Sequence, residues 1–210
     1  MIKLSTISKT IGFAAFAGAV LLANSAAAAP LPLFPFAPQP AAPQAIAYAP
    51  VETEEAAELP AKFKRQVVDF RTTEAPGTII VDTPNTFLYL VLGNGKAMRY
   101  GVGVGRKGFE WSGSAQIGRK AEWPDWTPPP AMLKRRPDLP KHMAGGVNNP
   151  LGARAMYLHA NGKDMMYRIH GTNEPWSIGQ AVSSGCIRMM NADVEDLYSR
   201  VKIGARVVVL

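Results

Sequence analysis

The sequence predicts a mostly antiparallel β fold with few helices. Three observations carry that expectation. Apolar runs rich in β-branched and aromatic residues recur at short intervals, with residues 78–82 (TIIVD) and 86–92 (TFLYLVL) the clearest. Asn94-Gly95 and Asn161-Gly162 each lie between two such runs, the strongest short-range signal for a hairpin. Nineteen glycines and eighteen prolines among 210 residues suit a turn-rich chain and argue against a helical bundle.

Taken in order, residues 66–72 alternate weakly, and Thr83-Pro84-Asn85 turns the chain between the first two strong strands. Residues 97–104 continue as a strand after Asn94-Gly95. Residues 106–150 read as one long irregular stretch. It contains Trp111, Trp123, Trp126, three prolines at 128–130 and Lys134-Arg135-Arg136, and is expected to be a functional loop. Residues 153–158 and 165–169 bracket the second hairpin turn. Asn191 is expected to cap a late helix, with Asp193, Glu195 and Asp196 at its positive end. Val194, Leu197, Tyr198 and Val201 give that helix one apolar face. Residues 206–210 close as a strand. No internal repeat and no regular strand–helix alternation is visible.

The N-terminus has a different character. Lys3 and Lys9 precede an apolar stretch over 11–23, and small residues follow at 25–29. This is the pattern of an export signal, cut after Ala28. The apolar stretch is short for a membrane span. Residues 29–61 then form an expected disordered tether: they hold eight prolines and four glutamates but no lysine or arginine. Residues 62–210 remain as the folded domain, with 21 basic and 12 acidic groups, a balance of +9. Such a domain suits an anionic partner, either a carboxylate-bearing wall polymer or anionic lipid. Export and the absence of a basic run with interleaved aromatics argue against nucleic acid.

Chemistry-bearing residues are few. One cysteine, Cys186, excludes an internal disulfide framework and a multi-cysteine zinc site. Three histidines, His142, His159 and His170, leave little for a metal centre. Gly103-Val104-Gly105-Arg106-Lys107-Gly108 spells GxGxxG, but Phe109-Glu110-Trp111-Ser112-Gly113 does not start a helix, so a dinucleotide site is not expected. A lone free thiol in an exported protein is either a buried structural residue or a nucleophile. The surroundings Ser183-Ser184-Gly185-Cys186-Ile187-Arg188 favour the nucleophile. Gly185 would admit a ligand to the backbone, the amides of Gly185 and Cys186 could face an oxyanion, and Arg188 adds a cation. A thiol nucleophile needs a base. His170 ends an apolar strand and is the candidate, whereas His159 beside a turn reads as solvated and His142 as lacking a partner. A papain-like arrangement places the cysteine before the histidine, and here the order is reversed.

His170-Gly171-Thr172, followed by Ser183-Ser184-Gly185-Cys186-Ile187-Arg188-Met189, resembles the active-site motif of the L,D-transpeptidase (YkuD-like) family. The resemblance covers about residues 75–210. It implies a β-sandwich-like catalytic domain acting on peptidoglycan stem peptides through an exposed cysteine, with no metal and no organic cofactor. Residue by residue, it implies that Cys186 is the nucleophile and His170 the base. Gly171 would orient His170 through its carbonyl, and Gly185 would supply an oxyanion amide. Thr172, Ser184 and Arg188 would face substrate, and Trp123 and Trp126 of the loop are candidate substrate contacts. Ser184 stands where the family often has histidine. The implied reaction releases D-alanine and joins the stem to an amine, giving a 3→3 cross-link or a link to an outer-membrane or wall-anchored protein. Two alternatives share these residues: a hydrolase using water as acceptor, and a catalytically silent wall-binding module. Exported, periplasmic and wall-associated placement follows, with no transmembrane span after signal removal.

Overall fold

Residues 59–210 are described by the computed structural model, so the expected export signal and all but the end of the tether lie outside the described residues. Their strands are β1 (Gln66–Asp69), β2 (Ile79–Asp82), β3 (Phe87–Gly93), β4 (Lys96–Gly101), β5 (Val104–Gly105), β6 (Gly113–Glu122), β7 (Arg154–Ala160), β8 (Lys163–His170), β9 (Ala181–Ser183), β10 (Ile187–Arg188) and β11 (Arg206–Val209). The α-helices are α1 (Pro130–Arg135) and α2 (Asn191–Arg200). Nine strands form one sheet in the order β1-β4-β3-β2-β11-β6-β7-β8-β10, and β5 pairs with β9 in a second small sheet.

Both Asn-Gly pairs form the expected hairpins. Asn94 and Gly95 have φ of 52° and 68°, and Asn161 and Gly162 have 50° and 73°. Positive φ at both central residues is what a type I′ turn requires, and it matches the twist of the flanking strands. Alternation then sorts the faces. Ile79, Val81, Leu88, Leu90, Tyr100, Ile117, Met156, Leu158, Ile169 and Val207 are buried in one continuous core. Burying each large apolar side chain contributes roughly 1.5–3 kcal/mol.

The nine-stranded sheet folds over on itself, so strands distant in sheet order share that core. The Tyr100 hydroxyl on β4 donates to Asp196 on α2 at 2.7 Å. Gly103, just beyond β4, exchanges two main-chain hydrogen bonds with Arg188 on the edge strand β10 (2.9 and 2.8 Å). This closure is the sandwich-like character that the family resemblance implies.

The sheet is mostly antiparallel, as expected, with two parallel pairs: β11 with β2, and β10 with β8. Parallel strands are joined by crossovers and not by tight turns, so no turn signal announces them. Two expectations change. The 106–150 stretch is not one loop, because β6 runs through it for ten residues. Only Ala115 and Ile117 of β6 are fully buried, and Gly118 interrupts the pattern where His159 packs so closely that a Cβ would lie 2.3 Å from its ring. Finally, Asn191 does not cap α2, whose N-cap is Met190 with no side-chain cap hydrogen bond.

Candidate active site

The site lies on the β8–β10 edge. Parallel pairing sets Ile187 beside Ile169 and Arg188 beside His170. Since side chains alternate along strands, Arg168, His170, Cys186 and Arg188 share one face. Cys186 immediately precedes β10, opposite Arg168 and diagonal to His170, a separation that longer side chains span. The Met189 amide donates to the His170 carbonyl at 2.8 Å, which locks the two segments together.

His170 is buried, and its Nδ1 lies 2.6 Å from the Gly171 carbonyl oxygen. A carbonyl can only accept, so Nδ1 carries the proton and the other ring nitrogen, Nε2, is left as the acceptor of the neutral ring. Burial holds the His170 pKa down to about 4, outweighing the Gly171 hydrogen bond, and the cations of Arg188 and Arg168 add to the lowering. The ring is therefore neutral at pH 7.

Cys186 is half-buried. Burial pushes its thiol pKa up, and the Arg168 main-chain hydrogen bond with the charges of Arg168 and Arg188 only partly opposes this. The resting pair is thus a thiol and a neutral imidazole. Arg188 does not by itself make a thiolate, because its guanidinium is already paired with Glu174 at 2.5 Å. That pair ties β10 to the loop after Thr172.

The turn before the cysteine is pinned from within. The Ser183 hydroxyl donates to the Cys186 carbonyl (2.6 Å) and accepts from the Gly185 amide (3.1 Å). The Gly185 amide expected to face an oxyanion is therefore occupied by Ser183 in this structure. Gly185 has φ of +105°, and a Cβ there would lie 2.4 Å from the Tyr167 ring, so glycine is required on both counts. Ser184 is half-buried, with its Oγ 3.5 Å from Arg106 Nη1. Thr172 is buried, and its Oγ1 accepts from the Glu174 amide at 2.9 Å, so its hydroxyl shapes the loop.

The tryptophan that reaches this turn is Trp111. Trp111 donates its indole N–H to the Gly185 carbonyl at 2.9 Å and stacks on Tyr167, with centroids 4.7 Å apart. Trp123 and Trp126 are instead anchored through their backbones, to Ala153 and Met143. His142 has neighbours after all: Asp125 at 3.8 Å and Thr127 at 3.4 Å. Trp111 and Asn191 reach main-chain groups across the fold, which leaves no local motif, whereas Ser183 pins its own turn.

A cationic row extends from the cysteine across the same face. Register places Arg119, Tyr157 and Arg168 side by side on β6, β7 and β8. Arg119 lies 3.6 Å and Arg168 4.3 Å from the Tyr157 ring centroid. Arg168 is neutralised by two hydrogen bonds to Asp164 (2.7 and 2.9 Å), whereas Arg119 has no carboxylate partner among the described residues. A shallow hollow of about 490 Å³ lies elsewhere, lined by Ser114, Gln116, His159, Asn161 and Arg206. Among the described residues, no three His, Cys, Asp or Glu side chains converge to hold a metal ion.

A buried histidine with a fixed tautomer thus shares a sheet face with a cysteine at a glycine turn. The family model for the L,D-transpeptidase catalytic domain, YkuD, matches residues 76–209, and the chain belongs to that family. The probable L,D-transpeptidase ErfK/SrfK of Escherichia coli is 37% identical over 115 residues, covering 52% of this chain and 36% of that protein. A solved L,D-transpeptidase from Mycobacterium smegmatis aligns with a TM-score of 0.50 and 16% identity over 65% of this chain and 59% of that one, a likeness of fold alone. A Brucella melitensis structure called a probable carnitine operon oxidoreductase is 50% identical, covering 71% of this chain and 94% of that one, with a TM-score of 0.49. The chain spans about a third to a half of the length of the curated relatives it matches.

Proposed function

We propose that this protein is a cysteine-dependent L,D-transpeptidase acting on peptidoglycan stem peptides. The observation that carries the reading is the tautomer of His170: the Gly171 carbonyl accepts a hydrogen bond from Nδ1–H and leaves Nε2 as a base on the face that bears Cys186. In this reading the Cys186 proton passes to Nε2 as sulfur attacks the carbonyl carbon between the third stem residue and D-alanine. Negative charge develops on the carbonyl oxygen, and the Cys186 amide takes the role of donor to it while Ser183 holds the Gly185 amide. The C–N bond breaks, the imidazolium returns its proton to the departing amine, and D-alanine leaves a thioester on Cys186. An acceptor amine then attacks the thioester carbon and gives its proton to His170, and the thiol is restored as the new amide forms.

The resting neutral pair suits this sequence, since proton transfer accompanies attack and no standing thiolate is exposed to oxidants. Arg119, unpaired beside Tyr157, supplies positive charge for a stem carboxylate along the same face. Export through the N-terminal signal and a tether over 29–61 would place the domain against the wall in the periplasm. The acceptor is another stem peptide or a protein amine.

The test is a muropeptide assay on the full chain beside Cys186→Ala, with products identified by mass. Dimers that have lost D-alanine, formed only by the wild type, are the expected result. Tripeptide alone would assign water as acceptor and make the enzyme an L,D-carboxypeptidase. Turnover by a folded alanine variant, or peptide binding without turnover by the wild type, would overturn the reading.

A further inference from the structure

We infer that Asn191 is a positioning residue for His170, acting through a single peptide plane. Asn191 Oδ1 accepts from the Thr172 amide at 3.2 Å and from the Ala153 amide at 2.9 Å. Both partners are N–H donors, so the atom facing them is the side-chain oxygen and not the amide nitrogen. The Thr172 N–H and the Gly171 C=O belong to the same peptide group. That group is planar, and in its trans form the two bonds point in opposite directions. Holding the N–H end therefore fixes where the C=O end points, and that C=O accepts the hydrogen bond from His170 Nδ1–H, with Nδ1 2.6 Å away. The relay runs from Asn191 Oδ1, through the Gly171–Thr172 peptide, to the imidazole.

The surroundings are built for this contact. A Cβ at Gly171 or at Gly152 would lie 2.2 Å from Asn191 Oδ1, so only glycine lets the side chain reach between the two segments. Asn191 itself stands on a firm base. It opens α2, which is anchored by buried Val194 and Leu197 and by the Tyr100 hydroxyl on Asp196. Its side chain is not spent on the helix, which has no side-chain cap. Two hydrogen bonds in series through one peptide also polarise each other, strengthening the bond to the ring. The inference rests on the reading of His170 as the base.

The test pairs spectroscopy with kinetics on the full chain. Histidine-labelled ¹⁵N spectra report the tautomer of His170, assigned with a His170→Ala control. In Asn191→Ala the Nδ1–H form is expected to give way to a mixture of tautomers. The rate of D-alanine release at saturation should fall about 10- to 100-fold, with KM changed less than about twofold, as expected when a reacting group is misplaced but substrate contacts survive. Asn191→Asp keeps an acceptor oxygen and should restore both the tautomer and most of the rate. Should Asn191→Ala not fold, Asn191→Ser, whose hydroxyl is too short to reach both amides, carries the same expectation. Unchanged ¹⁵N shifts in the truncated variants, or an Asp variant no better than Ala, would overturn the inference. A shifted tautomer with undiminished turnover would support the positioning contact and overturn His170 as the base.

Discussion

Two regions of the fold differ in how many polar groups they bury. In the β2–β3 region, the interior is apolar: Ile79, Val81, Leu88 and Leu90 are all buried. At the β8–β10 edge, Ile169, Ile187 and Met189 are buried too, but His170, Thr172 and Ser183 add buried polar groups on and beside the same strands. Each of these has hydrogen-bond partners, most of them main-chain groups: the Gly171 carbonyl, the Glu174 amide, and the Gly185 amide with the Cys186 carbonyl. The first region gains stability from volume and area, and the second accepts desolvation of polar groups to hold reacting atoms in place. The difference teaches that the edge is tuned for geometry and the centre for cohesion, so damage to each should show in different measurements.

The sharpest way to break the comparison is at the edge. His170→Ala should slow acylation of Cys186 by about 100-fold or more, followed by mass spectrometry of the thioester. An unchanged acylation rate would remove the edge's claim to chemistry. At the centre, Leu88→Ala should lower the unfolding free energy by about 2–5 kcal/mol in a urea titration. Its kcat per folded molecule should remain that of the wild type, and a selective loss of kcat would show the two regions are not separable.

A third test uses pH. The folded protein holds His170 near 4, whereas an unfolded histidine titrates near 6.5. Between those values the unfolded chain binds a proton that the folded one refuses, so stability rises with pH across that window. The stabilisation is complete above about 6.5 and is lost as pH falls toward 4. Thermal unfolding should show Tm falling across that range, and His170→Asn should flatten the dependence. A variant with the same pH profile as the wild type would show that His170 is not the group refusing the proton. The smallest effect is expected at Arg119→Gln: a rise of a few-fold in KM for a carboxylate-bearing stem peptide with kcat little changed. No such rise for that substrate, or an equal one for its amidated analogue, would show that the cationic row does not read the carboxylate.

The legibility of the fold follows the range of its interactions. The two hairpins could be read because Asn-Gly meets a backbone demand within two residues. The strand β6 could not, because Gly118 and a largely polar outward face hide an inward pattern of only two fully buried residues. The parallel pairings β11–β2 and β10–β8 left no local trace. In the site, Cys186 and His170 stood out through residue type and scarcity. Trp111 and Asn191 did not, since each is defined by a distant main-chain atom that it reaches and not by its sequence neighbours. Asn191 is the clearest instance: the residue type that reads as a helix cap serves the catalytic strand end instead.

The position of β11 also governs the order of assembly. This strand comes last in the sequence, yet it sits at the middle of the sheet, parallel to β2 on one side and antiparallel to β6 on the other. Its hydrogen bonds are the seam that joins the β1–β4 half to the half bearing the cysteine. A chain emerging from its N-terminus therefore has His170 and Cys186 in hand before it has the strand that unites the sheet. Contacts of such long sequence separation form slowly, because loop closure costs entropy before pairing repays it. The two halves of the sheet are joined only when β11 has docked between β2 and β6.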